Sequence, residues 1–294
     1  MKLVKPEFKI IEPTGYTIDD IYKSIELAGR CSHKSEDKIT ETSAKDFVGR
    51  MLNMKHLATC EFGTVYLNIP NGLISQALYG NLVDKYSENA YSISVPYVEK
   101  TGLVSIGRAA ITTNYRVLVE NNWLDDLQYL CEPTEYHHKR YTVKFICDRG
   151  ILAEFTRHRK FSFMAESTRY CNYSKDKFGN ELTFIIPCWV EEKQENMSLE
   201  IRDIWGNNYA ELCSKEILAR VERAYFTLIK EGWKPEQARN VLPLCLKTEL
   251  YMCGFAEDWE QFFKLRTASN AHPQARELAI PLKEEFIKKG YIIE

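Results

Sequence analysis

The chain has 294 residues, 45% of them hydrophobic and 27% charged, a balance that suits a globular protein with an ample core and excludes a disordered or fibrous class. A formal net charge of −2 argues against a general nucleic-acid binder, which would carry a basic excess, and no apolar run approaches the roughly 20 residues of a membrane helix. Nine cysteines are scattered without C-x-x-C pairs or zinc or haem spacing, and in the absence of a signal peptide they read as reduced thiols of a cytoplasmic protein.

In chain order, residues 17–30 predict a short helix on Ile21, Ile25 and Leu27. Residues 43–56 predict a second, with Ser43 and Asp46 as a capping-box-like start and Phe47, Val48, Met51 and Leu52 on one face. Residues 64–67 are strand-like and stop at Pro70-Asn71-Gly72. Residues 91–120 mix β-branched and aromatic residues, then turn helical through Leu118 and on to Leu130. Residues 141–146 alternate as a strand. Asp148 can cap a helix that carries Ile151, Leu152 and Phe155 and ends on a basic triplet. Residues 182–186 read as a strand. The longest helical pattern runs over 199–230 and ends at Gly232, with a short helix opening at Pro235. Residues 247–253 are strand-like. Trp259, Phe262, Phe263 and Arg266 then form a stripe at helical spacing, and a last helix covers 273–289 with Gly290 as its stop. The irregular interleaving predicts an α+β fold, a mixed or antiparallel sheet with flanking helices, in a single domain over 1–294.

Chemistry concentrates in Arg157-His158-Arg159, followed by Ser167-Thr168-Arg169-Tyr170. Read alone, the triplet is a solvated charge run favourable to a helix C-terminus. With the second arginine close behind, it reads as a grip for phosphate or another anion. There is no G-x-G-x-x-G and no Walker loop. His137-His138 lacks an acidic or cysteine partner at ligand spacing and reads as a strand-edge pair rather than a metal site, so no metal is expected. Cys188 is followed by Trp189 with no histidine base beside it, and Ser167 has no evident base; neither is a strong nucleophile candidate.

The spacing of Arg157-His158-Arg159 to Ser167 and Arg169 resembles the signature of the flavin-dependent thymidylate synthases, the ThyX family. Gly29-Arg30-Cys31-Ser32 is similar to the family's Ala-Arg-x-Ser. His56-Leu57-Ala58-Thr59-Cys60-Glu61-Phe62 is similar to its H-x-S/T-x-x-E-H. Residues 238–243 are similar to its A-R-x-V-L-P, and Leu265-Arg266 to its terminal L-R helix. The matches fall in the family's order.

That resemblance implies a ThyX-like catalytic domain with an insertion over roughly 70–135. It also implies reductive methylation of dUMP to dTMP, with 5,10-methylenetetrahydrofolate as carbon donor and FAD, reduced by NADPH, as hydride donor. His56, Arg157, His158, Arg159, Phe255 and Gln261 would lie at FAD. Glu154, Glu166, Ser167, Thr168, Arg169, Arg239 and Arg266 would lie at dUMP. Arg266 would stabilise negative charge on the uracil ring, so that no protein nucleophile is needed. Family members are homotetramers with ligands held between subunits. Read from the residues alone, the alternatives are a surface histidine for His56 and, for Arg266, a core arginine paired with a protein carboxylate.

The chain departs from the family pattern at Ala58, Phe62, Met164, Ala165, Phe255 and Gln261, where polar flavin contacts are usual. These departures leave a non-catalytic nucleotide- or flavin-binding homologue as the alternative.

Overall fold

The computed structural model describes residues 1–71, 83–101, 104–189, 191–192, 199–202, 208–212 and 214–293. Gly72, Cys213 and part of the 70–135 segment therefore lie outside the described residues.

The strands are β1 (Lys2–Val4), β2 (Glu7–Ile11), β3 (Thr64–Pro70), β4 (Ile93–Thr101), β5 (Val104–Asn114), β6 (Arg140–Asp148), β7 (Ser162–Ala165), β8 (Thr183–Ile185), β9 (Glu191–Glu192), β10 (Leu199–Arg202), β11 (Asn208–Leu212) and β12 (Lys247–Phe255). The helices are α1 (Ile18–Cys31), α2 (Ser43–Asn53), α3 (Asp84–Ser87), α4 (Tyr115–Glu120), α5 (Arg149–Phe155), α6 (Ser214–Lys230), α7 (Pro235–Ala238), α8 (Ala256–Arg266) and α9 (Pro273–Lys288). The fold is α+β. Its sheets are antiparallel in the orders β2-β6-β12-β7, β3-β5-β4 and β11-β10-β9, with β1 and β8 as a parallel pair.

The β2-β6-β12-β7 sheet organises the molecule, because β12 is buried along almost its whole length. Strand periodicity sends its residues to two different environments. Leu250 and Met252 join Val143 and Phe145 of β6 against Trp259, Phe262 and Phe263 of α8 and Leu278, Leu282 and Phe286 of α9. Tyr251 and Cys253 face the other way, onto Ala28 and Cys31 of α1 and onto Phe62. Phe62, at a family histidine position, is thus core beneath α1.

Helix α1 is bounded by sequence chemistry. The Thr17 hydroxyl accepts from Asp20 N, and the Asp20 carboxylate accepts from Thr17 N at 3.1 Å. Its Ile21 and Ile25 enter a separate core with Phe47 and Val48 of α2 and Val65, Leu67 and Ile111 of the β3-β5-β4 sheet. One helix thereby packs against both sheets.

Four expectations need correction. Ser43 does not cap α2; Thr42 holds that position without a side-chain bond, because the Ser43 hydroxyl donates to Glu26 at 2.7 Å. The helix expected over 199–230 starts only at Ser214, and the residues before it form β10 and β11. Leu199 and Ile201 alternate with Glu200 and Arg202, a period of two rather than 3.6. The helix expected to run on to Leu130 stops at Glu120, where Asn122 takes φ 59°, and a 3-10 turn follows over Leu124–Tyr129. His137 and His138 lie in the loop before β6. His137 is buried, with its ring bonded to Thr134 N and Leu67 O, and His138 pairs with Glu257.

Candidate active site

The first group of predicted residues forms where α5 and α8 end side by side. Asp148 starts α5 by accepting from Ile151 N at 2.7 Å, and buried Ile151 and Phe155 seat the helix on the core. This places Glu154 and His158 at its exit. Arg266 is the last member of the Trp259–Phe262–Phe263 stripe and is only 14% exposed. All three guanidinium nitrogens are engaged: Nε donates to His158 Nε2 at 2.9 Å, Nη1 to Glu154 Oε2 at 2.8 Å and Nη2 to the Glu154 carbonyl at 2.6 Å.

That geometry fixes a tautomer. A ring nitrogen that accepts from arginine has no proton, so His158 is neutral and protonated on Nδ1. Burial and the neighbouring Arg266 charge push its pKa down to about 4. Glu154 is held below the usual carboxylate range, first by the Arg266 hydrogen bond and despite partial burial. Arg157 lies 3.5 Å from Glu154 and is 74% exposed, while Arg159 is exposed. Gln261 is exposed on α8, and Phe255 carries the Arg140 guanidinium 5.7 Å above its ring.

The second group lies at the far end of β7. Glu166 N continues the pairing with β12 by donating to Glu249 O at 2.8 Å, and Ser167 N donates to Ser32 O at 3.1 Å. The chain then turns, with Tyr170 N and Cys171 N both donating to Ser167 O. Arg169 is exposed, its Nε 3.3 Å from Glu236 of α7 and its guanidinium 5.1 Å above the Tyr170 ring. Arg239, also exposed, follows Glu236 by three residues in the next helical turn, on the same side. Tyr170 stacks on His33 at 4.4 Å. Burial lowers the His33 pKa, with Lys177 and His56 adding to the effect, which places exposed His56 beside this group.

Glu154, Arg157, His158 and Arg266 thus meet at one place, while Ser167 and Arg169 lie at another, with Glu236 beside Arg169. In the chain, the four residues of β7 lie between His158 and Ser167. Glu166 and Thr168 are buried, with their side chains turned inward. A cavity of about 180 Å³ lined by Tyr16, Tyr66, Tyr141, Tyr251 and Arg140 includes none of the predicted site residues.

Several charged residues escaped the sequence reading. Glu249 Oε2 is 2.9 Å from Lys34 and 2.6 Å from Lys144, and Oε1 is 2.6 Å from Lys247. Burial would raise the Glu249 carboxyl, yet Lys247, Lys144 and Lys34 outweigh it and hold its pKa at about 2. Cys31, Glu36 and Glu249 bring donor atoms within 4.8 Å of one another, but the ammonium groups already neutralise Glu249, which disfavours a cation there. The only sequence signal was a pair of charges, Lys247 and Glu249, at strand spacing in an otherwise apolar run. Cys188 is exposed, and its thiol is pushed up by partial burial and by Glu277.

The family described as thymidylate synthase complementing protein matches residues 120–289, a span that includes both groups apart from His56. The chain belongs to this family. It is similar to a "probable flavin-dependent thymidylate synthase" of Paramecium bursaria Chlorella virus 1, 27% identical over 213 residues that cover 69% of this chain and 94% of the relative. It is also similar to a flavin-dependent thymidylate synthase of Aquifex aeolicus (strain VF5), 23% identical over 244 residues, 78% of this chain and 73% of the relative. A solved structure of the UMP/dUMP methylase PolB from Streptomyces cacaoi, bound with 5-Br dUMP, aligns over 98% of this chain and 93% of its own at 14% identity and a TM-score of 0.43. No helix among the described residues is long and apolar enough to cross a membrane.

Proposed function

We propose that this member of the family is a flavin-dependent thymidylate synthase. It would convert dUMP to dTMP with 5,10-methylenetetrahydrofolate as carbon donor and FAD, reduced by NADPH, as hydride donor. The observation that carries the reading is the half-enclosed Arg266, oriented on three sides by Glu154 and neutral His158. A preorganised cation at the end of an apolar stripe suits charge that develops on a ring during reaction.

Arg169 and Arg239 present exposed guanidinium groups on one side, the donor set a phosphate dianion needs, and Ser167 lies beside them. Arg157 and Arg159 offer exposed cations for an anionic cofactor, with His56, Phe255 and Gln261 as further contacts. When bound, a reduced flavin supplies the hydride. The chain's part is to bind, orient and stabilise charge. Cys188, with its raised thiol, is a poor nucleophile, in keeping with attack by no protein group.

In this reading a nucleotide held at Arg169 would meet the Arg266 of a second copy. A homotetramer with sites between subunits would join them. The test is purified protein incubated with dUMP, 5,10-methylenetetrahydrofolate and NADPH. Yellow protein that forms dTMP supports the reading, whereas colourless protein that binds dUMP without turnover favours a non-catalytic homologue.

A further inference from the structure

We propose that Lys247 and Tyr173 are positioning residues that hold the Ser167–Arg169 strip through Glu166, and that the Glu166 side chain acts as their anchor rather than as a nucleotide contact. This rests on the proposed nucleotide role of that strip.

Both oxygens of Glu166 are taken. Oε1 accepts from the Tyr173 hydroxyl at 2.8 Å and Oε2 from Lys247 Nζ at 2.9 Å, with the carboxylate side chain 2% exposed. At that exposure the carboxylate has no open face to offer a substrate. Lys247 bridges on to Glu249, whose other oxygen holds Lys34 and Lys144, and Lys34 also bonds Glu36 at 2.9 Å. Three ammonium groups thus balance three carboxylates.

The network reaches β12, β6 and the turn that follows α1. Glu249 and Lys247 belong to β12 and Lys144 to β6. Lys34 follows the end of α1, whose Ser32 carbonyl accepts from Ser167 N and from the Cys171 thiol. Tyr173 lies just beyond the strip's turn. The residue after Glu166 is already Ser167, so the rotamer of Glu166 is transmitted to the strip with no intervening joint.

Burying Glu166 and Glu249 and half-burying their four partners carries a desolvation cost that a well-packed apolar set would avoid. What ammonium–carboxylate geometry adds is direction, because each hydrogen bond admits a narrow range of angles. Apolar packing alone would hold β7 on β12 but leave the turn free to swing Arg169.

The test compares Tyr173→Phe, Lys247→Met and Lys247→Arg with the wild-type holoenzyme by hydrogen exchange of peptides spanning 166–171 and by calorimetric dUMP binding. Tyr173→Phe preserves shape and charge, so it stays informative if Lys247→Met fails to fold. In Tyr173→Phe the amides of Ser167, Tyr170 and Cys171 should exchange about fivefold faster or more while β6 keeps its protection. Its dUMP affinity should fall roughly threefold to tenfold with kcat at saturating dUMP within about twofold. Lys247→Arg should retain more affinity than Lys247→Met. Wild-type exchange and affinity in Tyr173→Phe, or faster exchange spread evenly over the chain, would overturn the proposal. Wild-type protein that binds no dUMP would contradict the nucleotide reading instead, and the exchange comparison would still decide the positioning.

Discussion

Arg266 and His158 form a pair in which each depends on the protonation of the other. The guanidinium uses the unprotonated Nε2 as acceptor, so a proton on His158 would remove that bond and set two cations side by side. His158 titrates at about 4 in the folded chain against 6.5 for a free imidazole. An unfolded chain therefore takes up the proton first as pH falls, and this group's contribution to stability is lost between about 6.5 and 4. Glu249 works lower. Its folded pKa of about 2 lies below the ordinary 4.5, so its contribution is present above 4.5 and lost as pH falls towards 2. Urea unfolding across this range should show two acid-sensitive windows, and His158→Gln should make only the upper one shallower, since burial lowers His33 and His137 as well; an unchanged upper window would contradict the neutral assignment. Arg266→Lys keeps the charge but cannot engage all three partners at once, and kcat/KM should fall about 100-fold or more. Loss of only two- or threefold would argue that Arg266 is a structural ion-pair member.

The elements that carry the first group stand on caps and close approaches. Asp148 accepts both from Ile151 N at 2.7 Å and from the buried Gln274 amide at 2.6 Å, joining α5 to α9. Asp148→Ala removes both bonds and should destabilise the fold by about 3 kcal/mol, measured by chemical denaturation. Gly254 lies in β12 where a Cβ would come within 2.5 Å of the Phe161 ring, itself packed on Trp259 at 4.8 Å. Gly254→Ala should cost about 1–3 kcal/mol through overpacking, and a neutral result would show that the ring can move aside. Helices α5 and α8 were legible in the sequence because a cap and an apolar stripe at 3.6-residue spacing are local signals. The β10–β11 pair was not, since strands of four and five residues lie just ahead of a true helical pattern and blur into it. The lysine–glutamate network was illegible for another reason: Lys247 and Glu166 are 81 residues apart, and no local spacing announces a pair made by strand pairing.

At the scale of the whole molecule, the sheet around β12 serves both groups. Its apolar face carries α8 and Arg266, while its polar face holds the ion network behind Arg169. Sequence motifs pointed to both groups, but not to the partners that hold them, Glu154 and His158 around Arg266 and Glu236 beside Arg169. If copies complete one another's sites, mixing the inactive variants Arg169→Ala and Arg266→Ala should recover activity in hybrid oligomers, up to about a quarter of wild type for random pairing across two-subunit sites. No recovery from stably exchanged oligomers would place each site within one copy. The most direct test of the central claim is formation of dTMP by the purified protein given dUMP, 5,10-methylenetetrahydrofolate, FAD and NADPH, run alongside Cys188→Ala. The account predicts dTMP from both proteins at rates within a few-fold of each other. No dTMP from a flavin-loaded wild type, or activity abolished by the loss of Cys188, would contradict it.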